Sequence, residues 1–172
     1  VLPGYKLMEF EDKKVAFVGA TTPEALTTST PTFFQDAQGK YIYSFCEDTS
    51  GKKLYKQLQK NINAARKQGA DYVFIVGHLG MDGTTPQWSS ENIAKHTTGV
   101  DGIIDGHSHE RYERVVQNKK GKDVLLAQTG TKLKTVGQLV ITPAGKLETK
   151  LITAANGKDA EVQKVIAREM DI

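Results

Sequence analysis

Two apolar stretches of the chain end in the same dipeptide: Val76-Gly77-His78-Leu79-Gly80 and Asp105-Gly106-His107-Ser108-His109. Neutral imidazole is the commonest metal ligand among side chains, so His78, His107 and His109 read first as a divalent-metal site. The glycine ahead of each histidine lets the backbone turn sharply off a strand and bring the ring close to a small ligand. His107 and His109 stand at i and i+2; if extended they project to one side, and they either share one metal or serve two neighbouring ones. Asp82 and Asp105 are the nearby acids, and the type of either suits a metal ligand. Asp82, in Met81-Asp82-Gly83-Thr84, has the setting of a turn aspartate, whereas Asp105 is suited to fixing an imidazole tautomer from behind the metal. The fourth histidine, His96, falls near the end of a predicted helix, where a cation suits the dipole.

These residues need a scaffold that brings distant turns to one edge, and the hydrophobic pattern supplies one. Residues 14–20 form a nearly continuous apolar run, as expected of a strand buried on both faces. A Thr- and Pro-rich excursion over 24–50 follows. Leu54, Leu58, Ile62 and Ala65 then repeat at helical spacing, which predicts a helix over 51–68, with Ser50 or Thr49 capping its start and Gly69 its end. A strand over 72–77, a short helix over 90–96 and a strand over 102–105 repeat the alternation that makes a parallel sheet with right-handed crossovers. In such sheets functional groups gather beyond the carboxyl ends of the strands. His78 and His107 are 29 residues apart, about one crossover unit, so their strands lie next to or near each other. After Glu113 the pattern turns antiparallel, with strands over 114–117, 123–128, 136–142 and 147–153. A last helix over 159–170 carries Val162, Val165, Ile166 and Met170 on one stripe, and Asn156-Gly157-Lys158 is the one plausible hinge.

Composition excludes other classes. Of 172 residues, 38% are apolar and 25% charged, which suits a globular domain. A net charge of +3 is too small for a nucleic-acid-tracking surface, and Lys119, Lys120 and Lys122 most simply solubilise a hairpin turn. Cys46 is the single cysteine, so intrachain disulfides and thiolate-rich zinc sites are out. No membrane-spanning run and no signal-peptide layout is present. Nucleophile-elbow, Walker and dinucleotide motifs are absent.

Taken together, Gly77-His78-Leu79-Gly80, the string from Thr98 to His109 and Gln128-Thr129-Gly130 resemble the catalytic domain of bacterial 5'-nucleotidases. That family lies among the calcineurin-like metallophosphoesterases and includes UDP-sugar hydrolases and 2',3'-cyclic-nucleotide phosphodiesterases. The resemblance runs from about Tyr5 to Thr153. It implies an α/β fold that is part of a metallophosphoesterase αββα sandwich, a mixed sheet of parallel βαβ units followed by antiparallel strands. It makes His78 and His107 ligands of one metal and His109 a ligand of the other, and it implies hydrolysis of nucleotide phosphate esters by a metal-activated water.

The family's upstream motifs, Asp-x-His, Gly-Asp and Gly-Asn-His-Glu or its Asp variant, have no counterpart here, since the chain has no Gly-Asp and no Asn-His dipeptide. Asp105-Gly106-His107 matches Asp-x-His only formally. The resemblance therefore implies that residues 1–155 are the C-terminal half of a catalytic domain and that 156–172 are a helix leading to an absent substrate-binding domain. No catalytic residue beyond the ligands is assigned. The intact domain is expected to hold two divalent metals (Zn, Mn, Fe or Co), and this chain alone one or none, without turnover, because two close cations need anionic ligands. A missing N-terminal half would leave apolar sheet surface bare, so self-association is expected. Family members act in the periplasm or at the cell surface. Two other readings are a single zinc held by all three histidines, and a non-catalytic binding domain whose histidines are vestigial.

Overall fold

The computed structural model describes residues 3–81, 85–153 and 157–170. In chain order its elements are β1 (Tyr5–Phe10), β2 (Lys13–Thr21), α1 (Ala25–Thr28), α2 (Lys52–Lys67), β3 (Tyr72–His78), α3 (Ser90–His96), β4 (Gly102–Asp105), β5 (Arg111–Gln117), β6 (Asp123–Thr129), β7 (Thr135–Ile141), β8 (Leu147–Thr153) and α4 (Ala160–Glu169). Six strands form one sheet in the order β1-β2-β3-β4-β6-β5. β2, β3, β4 and β6 run parallel, so their carboxyl ends share one rim, while β1 and β5 close the two edges antiparallel. The fold is thus the mixed α/β arrangement expected, a mostly parallel sheet with antiparallel additions. β7 and β8 pair as a separate two-stranded ribbon.

One face of the sheet carries the core. The α2 stripe of Leu54, Leu58, Ile62 and Ala65 packs with Ile93 and Ala94 of α3 onto Ala16, Val18, Val73, Ile75, Ile103 and Leu126, all buried. Burial of side chains of this size contributes about 1.5–3 kcal/mol each, which is what holds the helices down. The opposite face is only partly covered. Phe17, Phe74 and Ile104 line an apolar cleft of about 880 Å³, shared with Phe10 and with Leu139 and Ile141 of the ribbon. Val76 remains 47% exposed. The expectation that β2 is buried on both faces therefore holds for one face, because the β7–β8 ribbon shields only part of the other.

Local chemistry differs from expectation at several points. β1 has no counterpart in the sequence reading: it is an edge strand in which Tyr5 and Leu7 pack against the core while Lys6, Met8 and Phe10 point away, and it turns into β2 through Glu11 at φ 52° rather than through glycine. The start of α2 is capped by Asp48, whose Oδ2 accepts from Lys53 N at 3.0 Å, while Ser50 Oγ reaches only 3.4 Å from Lys52 N. Gly69 does close the helix at φ 89°, with Ala70 N donating to Ala65 O. The 24–50 excursion contains the single turn α1 and a 3-10 turn at Pro31–Phe34. The Val162, Val165, Ile166 and Met170 stripe is exposed. The boundary expected at 155/156, and Asn156 of the hinge, lie outside the described residues.

The carboxyl end of α2 is tied to the sheet by Arg66. Its guanidinium donates to Gly99 O (3.0 Å), Ala70 O (2.9 Å), Asp71 O (2.6 Å) and Asp101 Oδ2 (2.5 Å), and the same Asp101 oxygen accepts from Val73 N at 2.7 Å. One fork therefore joins the helix end to the starts of β3 and β4. Arg66→Ala is expected to destabilise the chain by about 2–3 kcal/mol in urea unfolding, well beyond an exposed ion pair, because several acceptors lose a charged donor together. Arg66→Lys should recover less than half of that, since an ammonium cannot span the same fork.

Candidate metal centre

The register places the two Gly-His turns side by side. Val76 of β3 pairs with Ile104 of β4, and one step further along each strand come Gly77 and Asp105. His78, the last residue of β3, also pairs with Thr21 at the end of β2. The result is a direct approach of two rings: His78 Nε2 lies 3.2 Å from His107 Nδ1, with centroids 4.9 Å apart and planes at 60°.

Donor spacing tests whether this pair suits a metal. Two nitrogens bound at 2.0–2.1 Å with a tetrahedral angle stand about 3.3 Å apart. The observed 3.2 Å therefore fits two ligands of one ion as well as it fits an N–H···N bond. His109 does not join them: it is exposed, and no group of three or more His, Cys, Asp or Glu side chains able to share an ion occurs among the described residues. His96 closes α3 as expected; its ring stacks on Tyr55 at 4.5 Å and its Nδ1 lies 2.7 Å from Asn92 O. Asp82 lies outside the described residues.

The sharp turns are made differently from the way the sequence suggested. His107 and His109 themselves take left-handed backbone conformations, φ 83° and 58°, whereas Gly77 and Gly106 do not. At Gly77 a Cβ would stand 2.8 Å from Leu79 Cδ1 and 3.3 Å from Asp105 Oδ1, so a side chain there would have to displace the Leu79 tip. Non-glycine residues at positive φ cost on the order of 1–3 kcal/mol and persist only where the surroundings over-determine them. Those surroundings are visible. Ser108 Oγ donates to Glu110 Oε2 at 2.6 Å and accepts from Met81 N at 3.2 Å and from Gln128 Nε2 at 3.1 Å, while the buried Gln128 accepts from Glu110 N at 2.8 Å.

Asp105 has a different task from the one expected of it. Its Oδ1 accepts from Leu79 N (2.9 Å) and Gly106 N (2.8 Å), and Tyr112 donates to Oδ2 at 3.4 Å, so it stitches the two Gly-His turns together. Burial pushes the Tyr112 phenol up to about 12, so it keeps its proton.

The carboxylate that meets an imidazole is Glu24, which the sequence reading passed over. Its Oε2 lies 2.9 Å from His107 Nε2 and its Oε1 accepts from Thr85 N at 2.6 Å. Burial opposes its charge, but the hydrogen bonds from Thr85 and His107 prevail and hold its carboxyl below the usual range. The available signal was positional: Glu24 sits three residues past the end of a buried parallel strand, on the rim where the histidines gather.

Asp105→Ala is expected to cost about 2–3 kcal/mol and to broaden the backbone amide resonances of Leu79 and Gly106. Asp105→Asn, which keeps an oxygen facing both amides, should cost under about 1 kcal/mol. Equal losses would refute the stitching role.

The comparisons with known proteins bear on this geometry. No family model matches the chain. The snake venom 5'-nucleotidase of Gloydius brevicauda is 28% identical over 109 residues, 63% of this chain and 15% of that protein. That of Crotalus adamanteus is 24% identical over the whole chain, which corresponds to 28% of its own length. The chain thus spans less than a third of these relatives. Among solved structures, the sulfate thiohydrolase SoxB of Thermus thermophilus superposes with a TM-score of 0.74 at 20% identity, over 99% of this chain and 29% of that one. The calcineurin-like phosphoesterase YfkN of Bacillus subtilis superposes at 0.64 and 17% identity, over 97% and 56%. In sequence the chain is similar to one part of the length of two venom 5'-nucleotidases, and in fold to parts of a sulfate thiohydrolase and a calcineurin-like phosphoesterase.

Proposed function

We propose that this chain is part of a metal-dependent phosphohydrolase of the 5'-nucleotidase type, that His78 and His107 hold one divalent cation and His109 belongs to a second site, and that the substrates are nucleotide phosphate esters. The observation that carries the reading is the 3.2 Å approach of His78 Nε2 and His107 Nδ1 at the carboxyl ends of adjacent parallel strands. The names of the relatives support the substrate class.

A bound divalent ion supplies Lewis acidity toward a phosphoryl oxygen and lowers the pKa of water. The chain's own residues orient. His78 and His107 would present lone pairs from a rim braced by Asp105, and Ser108 with Gln128 ties down the loop between His107 and His109 by hydrogen bonds. Two neutral imidazoles would supply no negative charge, and the anionic ligands that a pair of cations would need are proposed to lie in the part of the relatives' length that this chain does not span. The partly bare sheet face supports a further element of the proposal, an additional protein layer over Val76, Ile104 and the half-buried Phe17 in the complete protein, or self-association of this chain without it. The proposed site of action is the periplasm or the cell exterior, and the venom relatives support the extracellular part of that reading; among the described residues no helix is long and apolar enough to cross a membrane. A single ion held by three histidines has less support, because His109 stands apart from the pair.

In the full-length polypeptide, His78→Ala and His107→Ala are each expected to reduce phosphate release from nucleoside monophosphates, assayed with added divalent metal, to near background. Metal counting on the same preparations should fall from two ions. Unchanged activity and unchanged metal content in both variants would overturn the assignment.

A further inference from the structure

We propose that Glu24 is a positioning residue: its carboxylate fixes the His107 imidazole in the Nε2–H tautomer and so presents the bare Nδ1 lone pair beside His78 Nε2. The inference rests on the metal-binding role given above to His78 and His107, and it adds a residue from a third strand end.

The geometry is a relay of three side chains from three turns. Glu24 Oε2 stands 2.9 Å from His107 Nε2, and on the other side of the same ring Nδ1 stands 3.2 Å from His78 Nε2. An ionised carboxylate only accepts hydrogen bonds, so the ring nitrogen facing it must carry the proton. A neutral imidazole has one N–H, which leaves Nδ1 as an acceptor and a ligand. His107 needs such an anchor, because its backbone sits at φ 83° and its side chain is still 23% exposed.

Glu24 is itself held in place. Thr22 N donates to His78 O at 2.9 Å, which extends the parallel β2–β3 pairing beyond the strands, and Thr22 is 1% exposed. Glu24 N then donates to Thr22 Oγ1 at 3.3 Å, and Glu24 Oε1 accepts from Thr85 N at 2.6 Å. The carboxylate is therefore fixed at both of its oxygens and at its own backbone, relative to the same strand that carries His78. Partners of this kind change metal affinity by roughly 10–100-fold when removed, because ring orientation and ligand basicity depend on them.

The experiment uses the full chain and two readouts. In metal-free protein, long-range ¹⁵N–¹H correlation spectra of the histidine rings report the tautomer. Wild type is expected to show His107 as Nε2–H. Glu24→Ala should give a mixture, and Glu24→Gln, whose single oxygen cannot serve both Thr85 N–H and His107, should raise the Nδ1–H population. Titration with Zn²⁺ alone should then give an affinity about 10–100-fold weaker in Glu24→Gln than in wild type. Glu24→Gln is isosteric and guards against loss of folding, which thermal melts check. An unaltered His107 tautomer in folded Glu24→Gln overturns the proposal, even if Zn²⁺ binds. Zn²⁺ binding that His78→Ala leaves unchanged overturns the metal assignment instead, while an altered tautomer in the Glu24 variants still upholds the role of Glu24 in fixing the ring.

Discussion

The parallel pairing of β3 with β4 is the constraint on which the site depends. Parallel strands joined by a crossover helix end on the same side of the sheet, and the register of Val76 with Ile104 leaves Gly77 one residue and Gly106 two residues beyond the last β3–β4 pair. A slip of one residue would send every β4 side chain to the opposite face and part the two rings. Burial of Ile75 and Ile103 on the helix-covered face makes such a slip costly, so the core that stabilises the domain also sets the distance between the histidines.

On that rim the structure uses polar side chains as fasteners. Asp105 bridges the two turns, Arg66 ties the opposite ends of β3 and β4 to helix α2, and Ser108 with Gln128 secures a loop in which two histidines occupy left-handed backbone. Strain at a metal-ligating type of residue, offset by a dense set of hydrogen bonds, belongs to a preorganised site rather than to a loop free to adjust. The carboxylate–imidazole–imidazole relay through Glu24 has the same character.

The sheet is finished on one side only. Helices α2 and α3 cover one face, while on the other Phe17, Phe74 and Ile104 line a cleft that β7 borders and Val76 is exposed. The solved structures that share this fold include proteins named for different reactions, a thiohydrolase and a phosphoesterase, and in each the chain corresponds to part of a longer polypeptide. The same fold is thus shared by proteins named for different reactions, so the fold by itself does not fix a chemistry.

Much of this was legible in the amino-acid order. Apolar runs and a helical stripe mark β2, α2, β3, α3 and β4 because buried elements must be apolar at their own period. The repeated Gly-His pairs at the ends of two such strands point to one rim, since parallel topology leaves little choice. What the order of residues did not disclose is which side chains meet across that rim. Glu24 and His107 are 83 positions apart, and the chain carries no local mark of their contact. Asp105, close to the histidines in sequence, turns its oxygens to backbone amides instead, while His109, whose spacing from His107 left open one shared metal or two, is exposed and forms no group of three ligands with the pair. β1 was missed because an edge strand with charges on both faces has no clean period. Periodicity is written along the chain and survives in the sequence, whereas ligand partnerships are set by rotamers, left-handed turns and register, which exist only once the strands have paired.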